Sequence, residues 1–184
     1  MPPNTDQLGF TAAELESAGA ITVSQDSSFA NTVHDVVAEH SQISATARES
    51  LDFLAALAMP LIYRYAYPPV FLSVWHWLTS YATKVRDFSQ LALGLPRGFG
   101  KTALMKLFIL WCILFTSKKF IIVICENESK AINIISDVMD MLEEPNIKKV
   151  FGDWKLGAET DQQKLKKFGY RGRDIILMAA GAES

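Results

Sequence analysis

The sequence predicts an α/β fold with a parallel sheet, preceded by N-terminal helices. Three observations carry that prediction. A glycine-rich turn, "LPRGFGKT", lies between an apolar run at 88–95 and a long apolar helix pattern starting at Lys101. A second apolar run, "KKFIIVICE", is bounded by lysines and an acid and reads as a strand buried on both faces. An amphipathic segment, "NESKAINIISDVMDMLEEP", comes next, with Ala131, Ile134, Ile135, Val138 and Leu142 on one side and Pro145 after its end. Strand, loop, helix, strand and helix in that order make a βαβα unit, which implies a parallel sheet with a right-handed crossover.

The elements before this unit are helical. Residues 1–45 hold few large apolar side chains and read as a flexible or weakly helical arm or docking segment. Within it, Thr11 and Glu14 have capping-box spacing, and Phe29, Val33, Val36 and Val37 share one helical face. From residue 46 the character changes. Leu51, Leu54, Leu57 and Ala58 recur at helical spacing until Pro60. Tyr67-Pro68-Pro69 is an extended break. "VFLSVWHWLTSYATKV" then reads as a helix with Phe71, Val74, Trp75 and Leu78 as its apolar stripe. After the βαβα unit, the tail offers two short strands near 164–169 and 174–179. Arg171-Gly172-Arg173 is the turn between them.

Composition bounds the partners and the compartment. The chain has 184 residues, 49% hydrophobic and 21% charged, an ordinary globular mix. A formal charge of -2 excludes a grossly basic nucleic-acid wrapper but leaves room for a local basic patch. Lys148-Lys149, Lys164, Lys166-Lys167, Arg171 and Arg173 form such a cluster, whose plainer reading is a solvated face. Cys112 and Cys125 lie inside apolar runs and read as reduced core thiols. The N-terminus lacks the basic start and apolar core of a signal peptide, so a cytoplasmic setting is expected. The apolar run at 104–115 is too short for a membrane span, which needs about 20 residues.

The turn at 95–102 carries the chemistry. Gly100-Lys101-Thr102 is the end of the phosphate-loop pattern, but its first glycine position holds Leu95. Position favours the motif all the same, since it follows one predicted strand and opens one predicted helix. Triphosphate oxygens need a ring of backbone N–H groups, and glycines let the chain curl close to them. The helix start adds free N–H groups and a positive dipole end. Lys101 suits the β- and γ-phosphates of ATP, and the Thr102 hydroxyl suits Mg²⁺. Arg97 is a further cation within the loop, placed to sense the γ-phosphate or stabilise its developing charge. Gly98 and Phe99 complete the nucleotide-binding set. The plainer alternative is a glycine turn with surface Lys and Arg. The predicted architecture is thus a P-loop NTPase-type three-layer fold with a parallel sheet, incomplete, occupying residues 46–184 behind the arm of residues 1–45.

"LALGLPRGFGKT", "FIIVICENESKAINIISDVMDMLEEPNIKKVFGDW" and "RDIILMAAGAES" resemble the ATPase domain of tailed-phage terminase large subunits, the DNA-packaging motors. The shared features are an Arg before Gly-x-Gly-Lys-Thr with the first glycine missing, a strand followed by a helix with an early Ala131, and a late strand ending in Ala-Gly-Ala-Glu-Ser. The likeness covers about residues 50–184. It implies ATP and Mg²⁺ as ligands, with Arg97 and Lys101 catalytic, Arg97 acting either in its own subunit or on a neighbour's ATP. It also implies adenine-side contacts near Pro69, Phe71 and His76, although the plainer reading of His76 is a packed helix residue. For the complete protein the resemblance implies translocation of double-stranded DNA into a procapsid. The implied partners are the portal protein and the small terminase subunit, and the implied assembly is a homo-oligomeric ring. The implied place is the portal vertex in the host cell cytoplasm, with no membrane.

Two departures limit that expectation. An ATPase of this kind needs a second apolar strand ending in Asp-Glu, to hold Mg²⁺ and polarise the attacking water, and none follows Cys125. Glu126 and Glu128 instead read as helix-start acids favoured by the dipole. The nuclease domain is absent too, so the chain is expected to stop mid-domain and, alone, to turn over ATP weakly or not at all. The alternatives are another P-loop ATPase, helicase-like or kinase-like, and a non-catalytic remnant acting as an interaction module.

Overall fold

The computed structural model describes residues 27–63, 65–83, 94, 96–98 and 100–182. The chain divides into two units between Glu39 and His40. The first described element, helix α1 (Ser27–Glu49), begins in the first unit and ends in the second. The sequence boundary at 45/46 therefore falls inside α1. Thr11 and Glu14 lie outside the described residues.

A cap interrupts the helical run at 46–58. Ser50 takes an extended conformation, φ -102° and ψ 117°, and its hydroxyl accepts from the Phe53 N–H at 3.2 Å. Helix α2 (Leu51–Ala58) starts there and stops before Pro60. It buries Leu51, Leu54, Ala55 and Ala58. Helix α3 (Pro69–Thr83) starts on a proline, whose missing N–H costs nothing at a helix start. Its predicted stripe packs inward, with Phe71, Trp75 and Leu78 buried and Val74 partly so.

Helix α4 (Lys101–Phe115) is the centre of the core. Leu104, Leu107 and every residue from Ile109 to Leu114 are buried, so the all-apolar pattern belongs to a helix enclosed by other elements. It packs beside helix α5 (Glu128–Glu143) and against α2 and α3. Among the described residues no helix is long and apolar enough to cross a membrane. Helix α5 presents the predicted face, burying Ala131, Ile135, Val138 and Leu142, with Ile134 partly covered. Pro145 opens a further short helix, α6 (Pro145–Phe151), then a 3₁₀ turn at Trp154–Gly157.

The sheet is open, four-stranded and mixed. Strands β1 (Phe120–Cys125), β2 (Ala158–Asp161), β3 (Leu165–Tyr170) and β4 (Arg173–Gly181) lie in the order β1-β4-β3-β2. β1 and β4 are parallel, with Phe120 opposite Ile176 and Cys125 opposite Gly181. β3 is antiparallel to both β4 and β2. The expected parallel pairing holds for β1 and β4 alone, because the two-residue turn at Arg171-Gly172 returns the chain directly and makes β3 and β4 antiparallel. The predicted strand at 88–95 lies almost wholly outside the described residues.

β1 is not buried on both faces. Its alternate residues Phe120, Ile122 and Ile124 are 54%, 45% and 65% exposed, while Ile121, Val123 and Cys125 pack toward the helices. Among the described residues the helices cover one face of the sheet, so the three-layer expectation is met on one side only. The chain is a mixed α/β structure, rich in helix, with an open sheet.

Charged side chains tie the end of α5 to α6 and the 3₁₀ turn. Lys148 bonds Glu143 at 2.7 Å and approaches Asp153 at 3.3 Å, and Lys155 meets Glu143 at 3.0 Å. Burial pushes the Glu143 carboxyl up, and the hydrogen bonds from Lys148 and Lys155 more than offset it, leaving it below its ordinary value. A backbone hydrogen bond from Lys155, with help from Lys148, lowers Asp153 as well. Groups depressed in the folded state stabilise it above their unfolded values, and that stability is lost as pH falls through the folded values. Glu143→Gln is therefore expected to cost about 1 kcal/mol at neutral pH and to flatten the acid limb of the stability curve. Denaturant unfolding at stepped pH below neutral checks this.

Candidate functional site

Residues 116–119 are all that separates α4 from β1, so the helix runs back antiparallel to the strand. Its N-terminus lies where the parallel strands β1 and β4 finish. In open α/β sheets that end is where ligands bind.

The loop entering α4 is built on left-handed glycines. Gly98 has φ 85°, and Gly100, the N-cap, has φ 67° and ψ 20°. Gly100 has no side chain with which to cap the helix start. The N–H groups of its first turn have no acceptor within the helix, because the ladder begins with Leu104 N–H on the Gly100 carbonyl at 3.0 Å. Lys101 folds back over the loop and donates to the Pro96 carbonyl at 2.8 Å. Arg97, Gly98, Gly100 and Thr102 are exposed, and Lys101 is half-buried. Five of the six predicted nucleotide-binding residues thus come together at one helix start. Phe99, the sixth, lies outside the described residues, as does Leu95.

Gly100→Ala is expected to cost about 1–2 kcal/mol, the penalty of a left-handed L-residue. The added methyl meets no crowding, since its nearest neighbour is the Phe71 ring edge at 4.0 Å. The loss is therefore conformational, and a thermal melt of the variant measures it.

Sequence periodicity does not reveal the aromatic shelf beside the loop. From Phe71, ring contacts run to Tyr67 at 5.4 Å and on to Tyr63 at 5.7 Å. Asp52 fixes the far end, accepting from the Tyr63 hydroxyl at 2.6 Å and the Tyr67 N–H at 2.8 Å. Burial, then the Asp52 hydrogen bond, pushes the Tyr63 phenol up to about 12. The signal is present as three tyrosines before a Pro-Pro break, but no spacing links them to an aspartate a helix away. His76 is exposed on α3, which corrects its reading as a packed residue, and Pro69 is exposed at the helix start.

The acids after β1 have structural partners. Asn127 is the cap of α5 and accepts from the Lys130 N–H at 2.9 Å. Glu128 stands in the first turn, as expected of a dipole-favoured acid. Glu126 precedes the cap and pairs with Lys130. Gly181, at the end of β4, lies so close to this corner that a methyl there would sit 2.8 Å from the Glu128 nitrogen.

The basic cluster late in the chain is largely engaged. Lys164 faces Glu128 at 3.7 Å, Lys167 meets Glu159 at 2.6 Å, and Lys166 pairs with Asp161. Arg171 donates to the Leu114 carbonyl at 3.0 Å, and Arg173 donates to the carbonyls of Ile113 and Thr116. These cations serve the fold first.

Beside β1 lies an apolar groove of about 400 Å³, lined by Met105, Phe108, Ile109 and Cys112 of α4 and by β1 itself. Cys112 and Cys125 are free thiols, and burial pushes Cys112 up to about 12. Among the described residues no group of three or more His, Cys, Asp or Glu is placed to hold a metal ion. No family model matches the chain, and neither a curated protein nor a solved structure matches it.

Proposed function

We propose that residues 96–102 bind the phosphates of ATP, and that the chain is the N-terminal ATPase part of a tailed-phage terminase large subunit. One observation supports this most. Two left-handed glycines open a buried helix, and its first residue, Lys101, arches over the loop they form. That arrangement offers an anion the first-turn N–H groups, the positive helix end and an ammonium together. The Lys101 bond to Pro96 is one that a phosphate oxygen can replace. Arg97 is exposed on the loop, where a further cation can reach a γ-phosphate of its own or of a neighbouring subunit. Tyr67, half-buried and packed on the buried Phe71 ring, is the apolar surface nearest the loop that a base could use.

Thr102, exposed in the first turn, is the hydroxyl this loop offers to Mg²⁺, and the ion would screen the phosphate charge. No carboxylate cluster stands beside it among the described residues. The same reading makes the complete protein an ATP hydrolase. It would drive double-stranded DNA into a procapsid as a ring at the portal vertex in the host cytoplasm, with portal protein and small terminase subunit as partners. The want of an Asp-Glu strand after Cys125 favours a second reading for the chain alone, a phosphate-binding module without turnover.

MgATP at ~100 times its dissociation constant is expected to raise stability by about 2.7 kcal/mol. Lys101→Ala should abolish that gain. A parent chain that gains nothing would sink the proposal. Parent turnover that is lost in Lys101→Ala would overturn the second reading and leave the first standing.

A further inference from the structure

The turn between β3 and β4 has an unusual residue in it. A two-residue hairpin turn with positive φ at both central positions favours Asn-Gly or Asp-Gly. Here the first position is Arg171, at φ 51°, followed by Gly172 at φ 74°. Arg171 is the one non-glycine residue at positive φ among the described residues. Such a conformation persists where the surroundings hold it in place.

That side chain reaches α4. The Arg171 guanidinium donates to the Leu114 carbonyl at 3.0 Å and lies over the Phe151 ring, 5.4 Å from its centroid. Phe151 in turn meets Phe115 edge-on at 5.6 Å. Arg173, two residues on, forks onto the carbonyls of Ile113 and Thr116. These carbonyls belong to the end of α4, where intrahelical donors run out. The last turn of α4 has no basic residue of its own, so the hairpin supplies the cations its dipole favours. The two arginines therefore grip the tail of the helix whose head carries the loop of residues 96–100.

The middle of α4 is enclosed by close apolar packing, which is poorly compressible and transmits strain along the helix. The described directional contacts along it are Lys106 with Asp137 and the Trp111 indole N–H on the Arg48 carbonyl. Lys101 on Pro96 and the arginine pair hold the two ends.

We propose that the Arg171–Arg173 turn is a relay at the tail of α4. Gripping the helix from behind, it couples the state of the loop at the helix head to the hairpin, and the hairpin to the loop. Its ligand half rests on the reading of residues 96–102 as a phosphate site, and its mechanical half does not.

Hydrogen exchange on the full chain tests both halves. In the double variant Arg171→Asn/Arg173→Met, asparagine keeps a residue suited to the turn while the grip is removed. The amides at the head of α4, beginning with Leu104, are expected to exchange about tenfold faster, although they lie at the opposite end of the helix. The paired amides of β1 and β4 should change less. Arg171→Asn alone, which relieves backbone strain, should give part of the same loosening. Acceleration confined to residues 113–117 and the hairpin would overturn the relay, as would a stabilised Arg171→Asn with an unchanged Leu104. In the parent, MgATP should also slow exchange at residues 170–173, and the double variant should lose that response. MgATP that protects the head of α4 but leaves 170–173 unchanged overturns the relay. MgATP that protects nothing, in a chain whose double variant still loosens Leu104, refutes the phosphate reading and supports the mechanical half.

Discussion

Trp111→Ala is expected to lower stability by about 3–5 kcal/mol, because it removes core packing and a hydrogen bond together. Trp111 is 2% exposed and stands where α1, α3 and α4 meet. It stacks on Phe108 at 6.2 Å with an interplanar angle of 11°, meets Trp75 edge-on at 6.3 Å and touches Phe115 at 6.0 Å. Its indole N–H donates to the Arg48 carbonyl at 2.8 Å, so truncation also strands a carbonyl. Trp111→Phe separates the two contributions. It keeps most of the ring packing and loses the hydrogen bond, and is expected to cost about 1–2 kcal/mol. Equilibrium denaturation of both variants measures the difference. A Trp111→Phe variant as stable as the parent would show that the bond to α1 contributes little.

Gly157→Ala is the second large effect, and its cause is steric. Gly157 ends the 3₁₀ turn under β3. A methyl built there would lie 2.0 Å from the Gly169 carbonyl oxygen and 2.8 Å from the carbon that bears it. Both atoms are backbone within β3, so neither can turn aside as a flexible side chain would. The turn or the strand must move, and Trp154, packed edge-on to Phe168 at 5.3 Å, must move with it. Overpacking of this kind costs about 3 kcal/mol at its upper end. Chemical denaturation, with near-ultraviolet circular dichroism to follow Trp154, reports both parts. A wild-type-like Gly157→Ala would mean that the turn does not sit against β3 as described.

Much of the fold was legible because its signals are local. The two long helices at 101–115 and 128–143 follow from apolar periodicity and from Pro145. The closing hairpin follows from a Gly-containing turn between two predicted short strands. The illegible features depend on partners distant in sequence. "FIIVIC" is apolar throughout, yet alternate residues face outward, because the described helices cover one side of the sheet. The parallel neighbour of β1 is β4, far along the chain, and no residue of either strand announces that pairing. Ser50 is a local exception: it ends one helix and caps the next through the Phe53 N–H three residues on, in a stretch whose apolar periodicity shows no break.

The site divides in the same way. The glycines, Lys101 and Thr102 are contiguous, so the motif announces the loop and the structure assembles it at a helix head. Asp52, Tyr63 and Tyr67 join it by the folding of α2 against the break before α3, which spacing does not encode. Arg171 and Arg173 were legible as charge but not as caps of a helix that ends at Phe115.

If residues 96–102 hold the phosphates of a nucleotide, as proposed, the base contributes less to binding. Competition against a fluorescent ATP analogue in the presence of Mg²⁺ tests it most directly. Inorganic tripolyphosphate should displace the analogue, adenosine should displace it poorly, and Lys101→Ala should not bind the analogue at all. Displacement by adenosine with none by tripolyphosphate, or undiminished binding by Lys101→Ala, would overturn the proposed phosphate site.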